Sequence, residues 1–248
     1  MSRTLSPAII MCTWQRAARL PITLRQLSQQ QGVTPHLYIW NNNPDAAEEI
    51  DRHIADRPAG LAVSVHHNST NIGGFGRFMY ARQIAKQHPY VIFIDDDQEL
   101  PPDAIRTLAE DFEPRTIKGW HAFNFITPDN YWLRLPVRRG GAATYVGTCG
   151  MVADSRIFTE PKLFECPDEY KFIEDLWLCY VAEHHMGWKL RRSRVRLRFV
   201  IDTKNQVHGL MQKKTAFLSY LASTGWNVRN RGWKSLVSVG RDRRQDAI

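Results

Sequence analysis

The 248-residue chain lacks the features that identify several common classes of protein. Its four cysteines include no CxxC pair, so neither a zinc site nor a disulfide framework is expected. No apolar run approaches the ~20 residues of a membrane span, and the first residues lack the apolar length and cleavage pattern of a signal peptide. There is no internal repeat and no linker rich in proline and glycine. We therefore expect a cytoplasmic protein, with peripheral contact at the inner face of the membrane left open.

Charge is distributed unevenly along the chain. The formal charge at pH 7 is +8, from 33 Lys and Arg against 25 Asp and Glu. Residues 189–248 hold 15 of the basic and 3 of the acidic residues, a net of +12, which leaves −4 for residues 1–188. The acidic and basic parts are expected to meet different partners. Anionic lipid, nucleic acid and a polyanionic substrate all stay open for the basic part.

The first half of the sequence alternates between two patterns. Short apolar runs rich in Val, Ile and aromatic residues predict strands, and stretches with apolar residues at helical spacing predict helices. The strands are predicted at 8–12, 36–40, 61–65 and 91–94, and the helices at 17–31, 46–54 and 77–86. This alternation predicts an α/β fold, a parallel sheet with helices on both faces.

The second half is less regular. The predicted elements are strands at 120–126 and 144–146, a helix at 174–186 and a strand at 195–199. In the last strand, Val195, Leu197 and Phe199 alternate with arginines, so one face should lie in the core. Residues 128–141 are rich in aromatic residues and arginine, which suits either a binding loop or a solvated hairpin.

We expect one domain, 1–210, followed by a basic and aromatic extension, 211–248. Within 211–233, large apolar residues stand beside lysines and arginines, a composition that suits the interface of an anionic membrane. The alternative is a helix that packs on the domain and leaves only its last dozen residues solvated. Both remain open.

The most informative segment is 91–100, where an apolar strand runs directly into Asp95, Asp96 and Asp97. Adjacent carboxylates repel one another and are costly to bury without a partner. A hard divalent cation such as Mg²⁺ or Mn²⁺ prefers oxygen ligands and would relieve that repulsion. Ligands of open α/β sheets bind beyond the carboxyl ends of the strands. The segment predicts a metal and phosphate site, with a solvated acidic turn before a helix as the alternative.

Several motifs occur in an order that resembles a known family. They are Thr13-Trp-Gln-Arg16, Asn41 after the second strand, Asn71-Ile-Gly-Gly-Phe-Gly-Arg77, Asp95-Asp-Asp97, Gly147-Thr-Cys-Gly-Met-Val152, Glu174-Asp175 and His208. Over about residues 8–210 this set resembles the GT-A glycosyltransferases of inverting family 2. The third motif is similar to the galactofuranosyl- and rhamnosyltransferase branch, although Arg77 stands where that branch often has a further glycine. The resemblance implies a Rossmann-like, mostly parallel sheet flanked by helices, here with a basic C-terminal extension.

The resemblance also implies a reaction and a set of site residues. A sugar would pass from a nucleotide-diphosphate donor, with UDP or dTDP favoured, to a glycan or lipid-linked acceptor in the presence of Mn²⁺ or Mg²⁺, and no nucleic-acid partner is expected. The donor would contact Thr13, Arg16, Asn41, Asn71, Gly73, Gly74, Arg77, Asp95 and Asp96. The metal would be held by Asp95, Asp97 and His208. The acceptor would contact Trp132, Arg134 and Gly150.

Inversion at the anomeric carbon needs a general base that takes a proton from the acceptor hydroxyl. By the resemblance, Asp175 is the first candidate and Glu174 the second, although two acids also suit a helix N-terminus for electrostatic reasons alone. Other classes stay open. They are a haloacid-dehalogenase-like phosphohydrolase, a sugar nucleotidyltransferase, and a non-enzymatic nucleic-acid- or lipid-binding protein that uses the basic tail.

Overall fold

The computed structural model describes residues 5–200 and 210–228. Within these ranges the strands are β1 (Ala8–Thr13), β2 (His36–Asn41), β3 (Ala62–His67), β4 (Tyr90–Asp95), β5 (Gln98–Glu99), β6 (Thr116–Gly119), β7 (Ala122–Phe125), β8 (Arg134–Pro136), β9 (Tyr145–Val146), β10 (Met151–Asp154), β11 (Lys189–Arg192) and β12 (Arg198–Phe199). The α-helices are α1 (Leu20–Ser28), α2 (Ala47–Ala55), α3 (Gly76–Ile84), α4 (Ala104–Glu110), α5 (Glu174–Tyr180) and α6 (Met211–Ser223).

A seven-stranded sheet in the order β11-β6-β10-β4-β1-β2-β3 forms the centre of the protein. Neighbours from β3 to β4 are parallel, and so are β11 and β6. Strand β10 runs antiparallel to both β4 and β6. Two smaller antiparallel sheets, β12-β5 and β8-β7-β9, accompany it. The predicted α/β fold with a mostly parallel sheet is confirmed.

The central strands are apolar throughout because both of their faces are covered. Successive side chains of a strand point to opposite faces. In β1, Ala8 and Ile10 therefore join one buried cluster, while Ile9 and Met11 join another. The first cluster contains residues of α3, α5 and α6, and the second contains residues of α1, α2 and α4. Three helices thus pack on each face, which explains why the strands are continuous hydrophobic runs.

The strand predicted at 195–199 is largely wrong. Only Arg198 and Phe199 form a strand, which pairs with Gln98–Glu99 of β5. Val195 and Leu197 are buried as expected, but Phe199 is 43% exposed. Its ring lies against Trp120, with the ring centroids 5.0 Å apart, on a two-stranded ribbon outside the core.

The helix predicted at 174–186 is present, but it changes character along its length. Its α-helical part, α5, ends at Tyr180, and the chain continues as a π-helical turn over Val181–His185. In the aromatic and arginine-rich segment 128–141, Arg134–Pro136 forms β8 and pairs with β7. That part of the segment is therefore one side of a hairpin.

Helix α6 packs on the domain. Phe217, Leu218 and Leu221 of α6 are fully buried in the cluster that also holds residues of α3 and α5. The Phe217 ring stacks on Tyr170, with the ring centroids 4.0 Å apart. The apolar side of this helix is therefore part of the core and not a free face for a membrane. None of the described helices is long and apolar enough to span a membrane, and residues 229–248 lie outside the described part of the chain.

Replacing Phe217 by alanine should lower the free energy of unfolding by about 3–5 kcal/mol, because a fully buried ring is lost and a cavity remains. Denaturant unfolding followed by tryptophan fluorescence measures the loss. Tyr220→Ala is the matched control, since Tyr220 lies on the same helix but is 47% exposed, and it should cost less than about 1 kcal/mol. Equally small losses in both variants would contradict an integral role for α6.

Candidate active site

A cavity of about 300 Å³ lies at the carboxyl ends of β1 and β4, which pair in parallel so that Cys12 stands opposite Asp95. It collects most of the predicted site residues, although they are far apart in the sequence. Those that line it are Thr13, Arg16, Asn71, Gly73, Gly74, Arg77, Asp95, Asp96, Asp97, Glu174 and Asp175. The position agrees with the rule that ligands of open α/β sheets bind beyond the carboxyl ends of the strands.

Two of the three aspartates already have cationic partners within the protein. Asp95 accepts a hydrogen bond from Arg77 Nη1 at 2.8 Å. Asp96 accepts from Arg16 Nη1 at 3.0 Å and from the Thr13 hydroxyl at 3.1 Å. Because each carboxylate faces a guanidinium, much of the expected repulsion is relieved by arginine. This compensation was not foreseen from the sequence.

Asp97 is the carboxylate that remains without close compensation. Its Oδ1 is buried and has no hydrogen-bond partner among the described residues, and Arg16 Nη2 lies 3.9 Å from its Oδ2. Burial, with the neighbouring charges of Asp95 and Asp96, raises the pKa of Asp97 to about 6. A buried, unpaired oxygen beside a second carboxylate is what a hard divalent cation would satisfy.

The predicted metal ligands are only partly assembled. Within residues 5–200 and 210–228, no group of three His, Cys, Asp or Glu side chains is arranged around one position for a metal. Asp95 and Asp97 lie in the same cavity. His208, the third predicted ligand, lies outside the described residues.

The two acids at the start of α5 have different environments. Glu174 is buried, and its Oε1 lies 3.5 Å from Arg77 Nε and 3.5 Å from the Thr148 hydroxyl. Burial raises the pKa of Glu174 to about 7, against the opposing effect of Arg77. Asp175 is half-buried and accepts hydrogen bonds from the Tyr145 hydroxyl and, at 2.8 Å, from the Leu176 amide. Asp175 is thus oriented by neutral donors, whereas Glu174 is held in an ion pair.

The glycine turn before α3 makes room for protein side chains. A Cβ on Gly74 would stand 1.9 Å from Glu174 Oε1, and one on Gly73, whose φ is +65°, would stand 2.7 Å from the Phe172 ring. The Asn71 side chain fixes the turn by accepting a hydrogen bond from the Gly73 amide at 2.8 Å. These glycines were expected to allow close approach of a ligand, but in this structure Phe172 and Glu174 take up the adjacent space.

Asn41 does not line the cavity. It is buried, and its Nδ2 contacts the Asn43 carbonyl at 2.7 Å and His67 Nδ1 at 3.0 Å, so it holds the turn after β2. The adjacent Asn42 lines the cavity instead, and its Nδ2 donates to the Gly73 carbonyl at 2.9 Å. Strand β2 ends at Asn41, and contact of Asn41 with the donor stays a prediction.

The three predicted acceptor residues do not line this cavity. Gly150 is buried with φ +75°, and a Cβ there would stand 2.2 Å from Leu197, so packing explains the glycine. The Arg134 guanidinium lies over the rings of Phe123 and Tyr131, at 4.3 and 4.6 Å from their centroids. Trp132 is 46% exposed beside it. Arg134 is thus placed by aromatic packing within the β7-β8 hairpin.

Two further residues at the site were missed by the sequence analysis. Tyr145, fully buried, donates to Asp175. Lys214 reaches the cavity from α6, with its Nζ 5.2 Å from the centroid of the Tyr131 ring. Burial acts to lower the pKa of Lys214, but Asp175, Tyr131 and Glu174 hold it above its ordinary value. No pattern in the sequence separates Lys214 from the other lysines of the basic segment.

The parallel sheet, the antiparallel β10 and the acidic cavity at the strand ends define a protein of the GT-A glycosyltransferase fold. Within that class, the chain belongs to glycosyl transferase family 2, whose family model matches residues 8–168. No curated protein matches the chain. The matched region contains the aspartates after β4 but ends before Glu174 and Asp175.

Solved structures of similar fold include GalNAc-T7 with UDP, GalNAc and Mn²⁺, at a TM-score of 0.64 and 12% identity, covering 89% of this chain and 48% of that one. The TarS fragment 1-349 from S. aureus with UDP-GlcNAc has a TM-score of 0.57 and 13% identity, and the match covers 82% of this chain and 60% of that one. The mannosyltransferase PcManGT from Pyrobaculum calidifontis with GDP-Man and Mn²⁺ has a TM-score of 0.56 and 15% identity, and the match covers 82% of this chain and 59% of that one. The chain thus spans about half the length of these structures, and at such identities the likeness concerns the fold.

Replacing Asp97 by asparagine should stabilise the metal-free protein at pH 8, because an unpaired buried charge is removed while the shape is kept. A carboxyl whose pKa rises from 3.8 to about 6 on folding costs stability as the pH rises through that interval. The gain should therefore be about 1–3 kcal/mol at pH 8 and shrink towards pH 4. Urea unfolding with a chelator at both pH values measures it.

Asp111→Asn is the control for which the opposite change in stability is expected. Burial acts to raise the pKa of Asp111, but hydrogen bonds from Ser193 and Arg194 hold it below its ordinary value. This variant should therefore lose stability at pH 8, and the loss should diminish in acid. Destabilisation of Asp97→Asn at pH 8 would contradict the description of Asp97 as an uncompensated charge.

Proposed function

We propose that the protein is an inverting, metal-dependent glycosyltransferase. It would move a hexosyl or pentosyl group from a nucleotide-diphosphate donor to a hydroxyl of a glycan or lipid-linked saccharide. The observation that carries the proposal is that one cavity brings the oriented carboxylate of Asp175 together with the aspartates after β4. A phosphohydrolase or a purely basic binding protein would leave this arrangement without a role.

Support for the donor class comes from the family and from the similar structures. Family 2 is a glycosyltransferase family, and the TarS fragment and PcManGT were solved with UDP-GlcNAc and GDP-Man. For this chain we favour a UDP- or dTDP-linked sugar. Arg16 supports an anionic ligand directly, since its buried Nε and Nη2 lack hydrogen-bond acceptors among the described residues. A diphosphate oxygen would satisfy them.

The residues present fit a divalent cation, Mn²⁺ or Mg²⁺, held by Asp97 and Asp95, with His208 as a further ligand. When bound, such a cation neutralises diphosphate charge and so stabilises the leaving group. The protein's own contribution is to hold the three carboxylates close together despite their mutual repulsion. Arg77 and Arg16 do this by fixing Asp95 and Asp96, and they leave Asp97 free to bind.

Asp175 would act as the general base. Its two oxygens are oriented by the Tyr145 hydroxyl and the Leu176 amide, and its remaining lone pairs can accept the proton of an acceptor hydroxyl. As the acceptor oxygen bonds to the anomeric carbon, its proton passes to Asp175 and the nucleoside diphosphate leaves. Burial raises the pKa of Tyr145 well above its ordinary value, so its hydroxyl stays protonated and continues to donate.

Asp175→Asn tests the base. The amide keeps the shape of the side chain but cannot take a proton at neutral pH, so hydrolysis of the donor should fall by roughly 10²-fold or more. Binding of the nucleoside diphosphate with Mn²⁺, measured by calorimetry, should be unchanged. The substrate is found first by screening wild-type protein against UDP-, GDP- and dTDP-sugars for slow release of the nucleotide. Hydrolysis within a few-fold of wild type in the variant would move the role away from Asp175.

Lys214→Met tests the contribution of α6 to the same site. Removing the half-buried ammonium from the cavity should weaken nucleoside diphosphate binding by about tenfold, the effect expected for one charged contact. Lys213→Met is the matched control, because Lys213 is the adjacent residue on α6 and is exposed. Equal affinities of the two variants, measured by calorimetry with Mn²⁺, would show that Lys214 does not contact the donor.

A further inference from the structure

A second and larger cavity, of about 810 Å³, lies beside the β12-β5 ribbon. Its lining includes Glu99, two residues after Asp97, but it shares no lining residue with the candidate active site. Its most unusual feature is its charge, since five arginines line it. They are Arg139, Arg192, Arg194, Arg196 and Arg198, and we call this cavity the arginine groove.

The backbone places these arginines together for a simple reason. Burial alternates from 194 to 198, and Val195 and Leu197 enter the core on the face that holds α4. The alternate residues Arg194, Arg196 and Arg198 are therefore directed outwards. The same alternation explains the wrong strand prediction. Buried and exposed residues do alternate over 194–198, but only Arg198 and Phe199 pair with another strand.

The positive charge of the arginine groove is only partly neutralised by nearby acids. Asp111 pairs with Arg194 at 2.7 Å. Arg139, Arg196 and Arg198 form no ion pair with the residues that the structure describes, and the groove itself contains two acids, Glu99 and Asp103. In addition, the buried Arg192 Nε lacks a hydrogen-bond partner in the described ranges. The groove therefore presents guanidinium N–H groups that are available to hydrogen-bond an anionic ligand.

A series of aromatic ring contacts leads from the arginine groove towards the candidate base. Trp120 lines the groove and contacts the exposed ring of Phe199. The next residue, His121, lies with its ring centroid 6.3 Å from that of Tyr145, which in turn donates to Asp175. Exposed aromatic rings present flat apolar faces, which suit the C–H faces of sugar rings. The exposed Phe199 ring beside the arginines offers such a face, and the ring contacts from Trp120 to Tyr145 lead inwards from the groove towards Asp175.

We propose that the arginine groove binds the preceding units of an anionic glycan acceptor, one that carries carboxylate or phosphate groups, while the accepting end lies at Asp175. The proposal rests on the proposed glycosyltransferase function and specifies its acceptor. Guanidinium forks match carboxylate and phosphate oxygens in a bidentate manner. The recessed shape of the groove favours a single chain over a membrane, because a planar surface would not reach half-buried Arg192 within it.

The test compares binding of fluorescently labelled polygalacturonate, phosphorylated dextran and neutral dextran by anisotropy. Wild-type protein should bind one of the two anionic polymers, with affinity that falls as salt rises, and should not bind neutral dextran. The double variant Arg196→Gln/Arg198→Gln should bind that polymer about tenfold or more weakly. Both side chains are exposed, so the fold should be kept. The preferred polymer distinguishes carboxylate from phosphate.

Arg52→Gln/Lys86→Gln is the matched control, since it removes the same charge from exposed positions on α2 and after α3, outside the groove. It should bind the polymer like wild type. Equal weakening in both double variants would overturn the proposal, because only net charge would then matter. Tighter, groove-dependent binding of poly(U) RNA or of phosphatidylglycerol vesicles would also overturn it, in favour of another partner.

Calorimetry with nucleoside diphosphate and Mn²⁺ on the same proteins separates this proposal from the proposed function. Nucleotide binding should be equal in wild type and in both double variants, because the groove and the active-site cavity share no residue. Absence of nucleotide binding in wild type would overturn the glycosyltransferase function. Intact nucleotide binding with no groove-dependent binding of either anionic polymer would overturn the acceptor proposal alone.

Discussion

The arrangement of the site depends on one buried cation, Arg77. Its guanidinium lies 2.8 Å from Asp95 at the end of β4 and 3.5 Å from Glu174 at the start of α5. These nearby carboxylates raise the pKa of Arg77 further, against the effect of burial, so it remains charged. Removing one partner of such a buried pair usually costs about 3–5 kcal/mol, because the other charge is left uncompensated. Arg77 therefore ties the parallel half of the sheet to the helix that carries the candidate base.

This ion pair also decides which acid is available for chemistry. Because Glu174 is drawn inward to Arg77, the next residue of α5 turns its side chain towards the cavity and Tyr145. Gly74 is part of the same arrangement, since any side chain there would occupy the position of the Glu174 carboxylate. Arg77 stands where the galactofuranosyl- and rhamnosyltransferase branch often has a glycine, and its contacts explain why an arginine is present here. Its guanidinium supplies the charge that allows the buried Glu174 and the half-buried Asp95 to lie close to each other.

Features that depend on residues close together in the sequence were predictable, and features that depend on contacts between distant segments were not. The covered strands and the aspartates after β4 are local patterns, and both were identified correctly. The partners of those aspartates were not, because Arg16 and Arg77 meet them only after β1, α3 and β4 have assembled. The contributions of Tyr145 and Lys214 depend in the same way on the packing of α5 and α6. Phe199 was wrongly predicted to lie in the core, because alternation along a strand does not reveal whether the apolar face packs on the core or belongs to a peripheral ribbon.

The uneven charge of the sequence acquires a spatial meaning in the fold. The acidic cavity and the arginine groove are separated by the short β12-β5 ribbon, which begins one residue after Asp97. An acidic site attracts a cation and, through it, a diphosphate, but it repels an anionic acceptor. The positive potential of the arginine groove, whose lining includes Glu99 two residues after Asp97, opposes that repulsion. With the function proposed above, the arginines that follow α5 in the chain therefore make an anionic acceptor compatible with the acidic cavity that holds the candidate base.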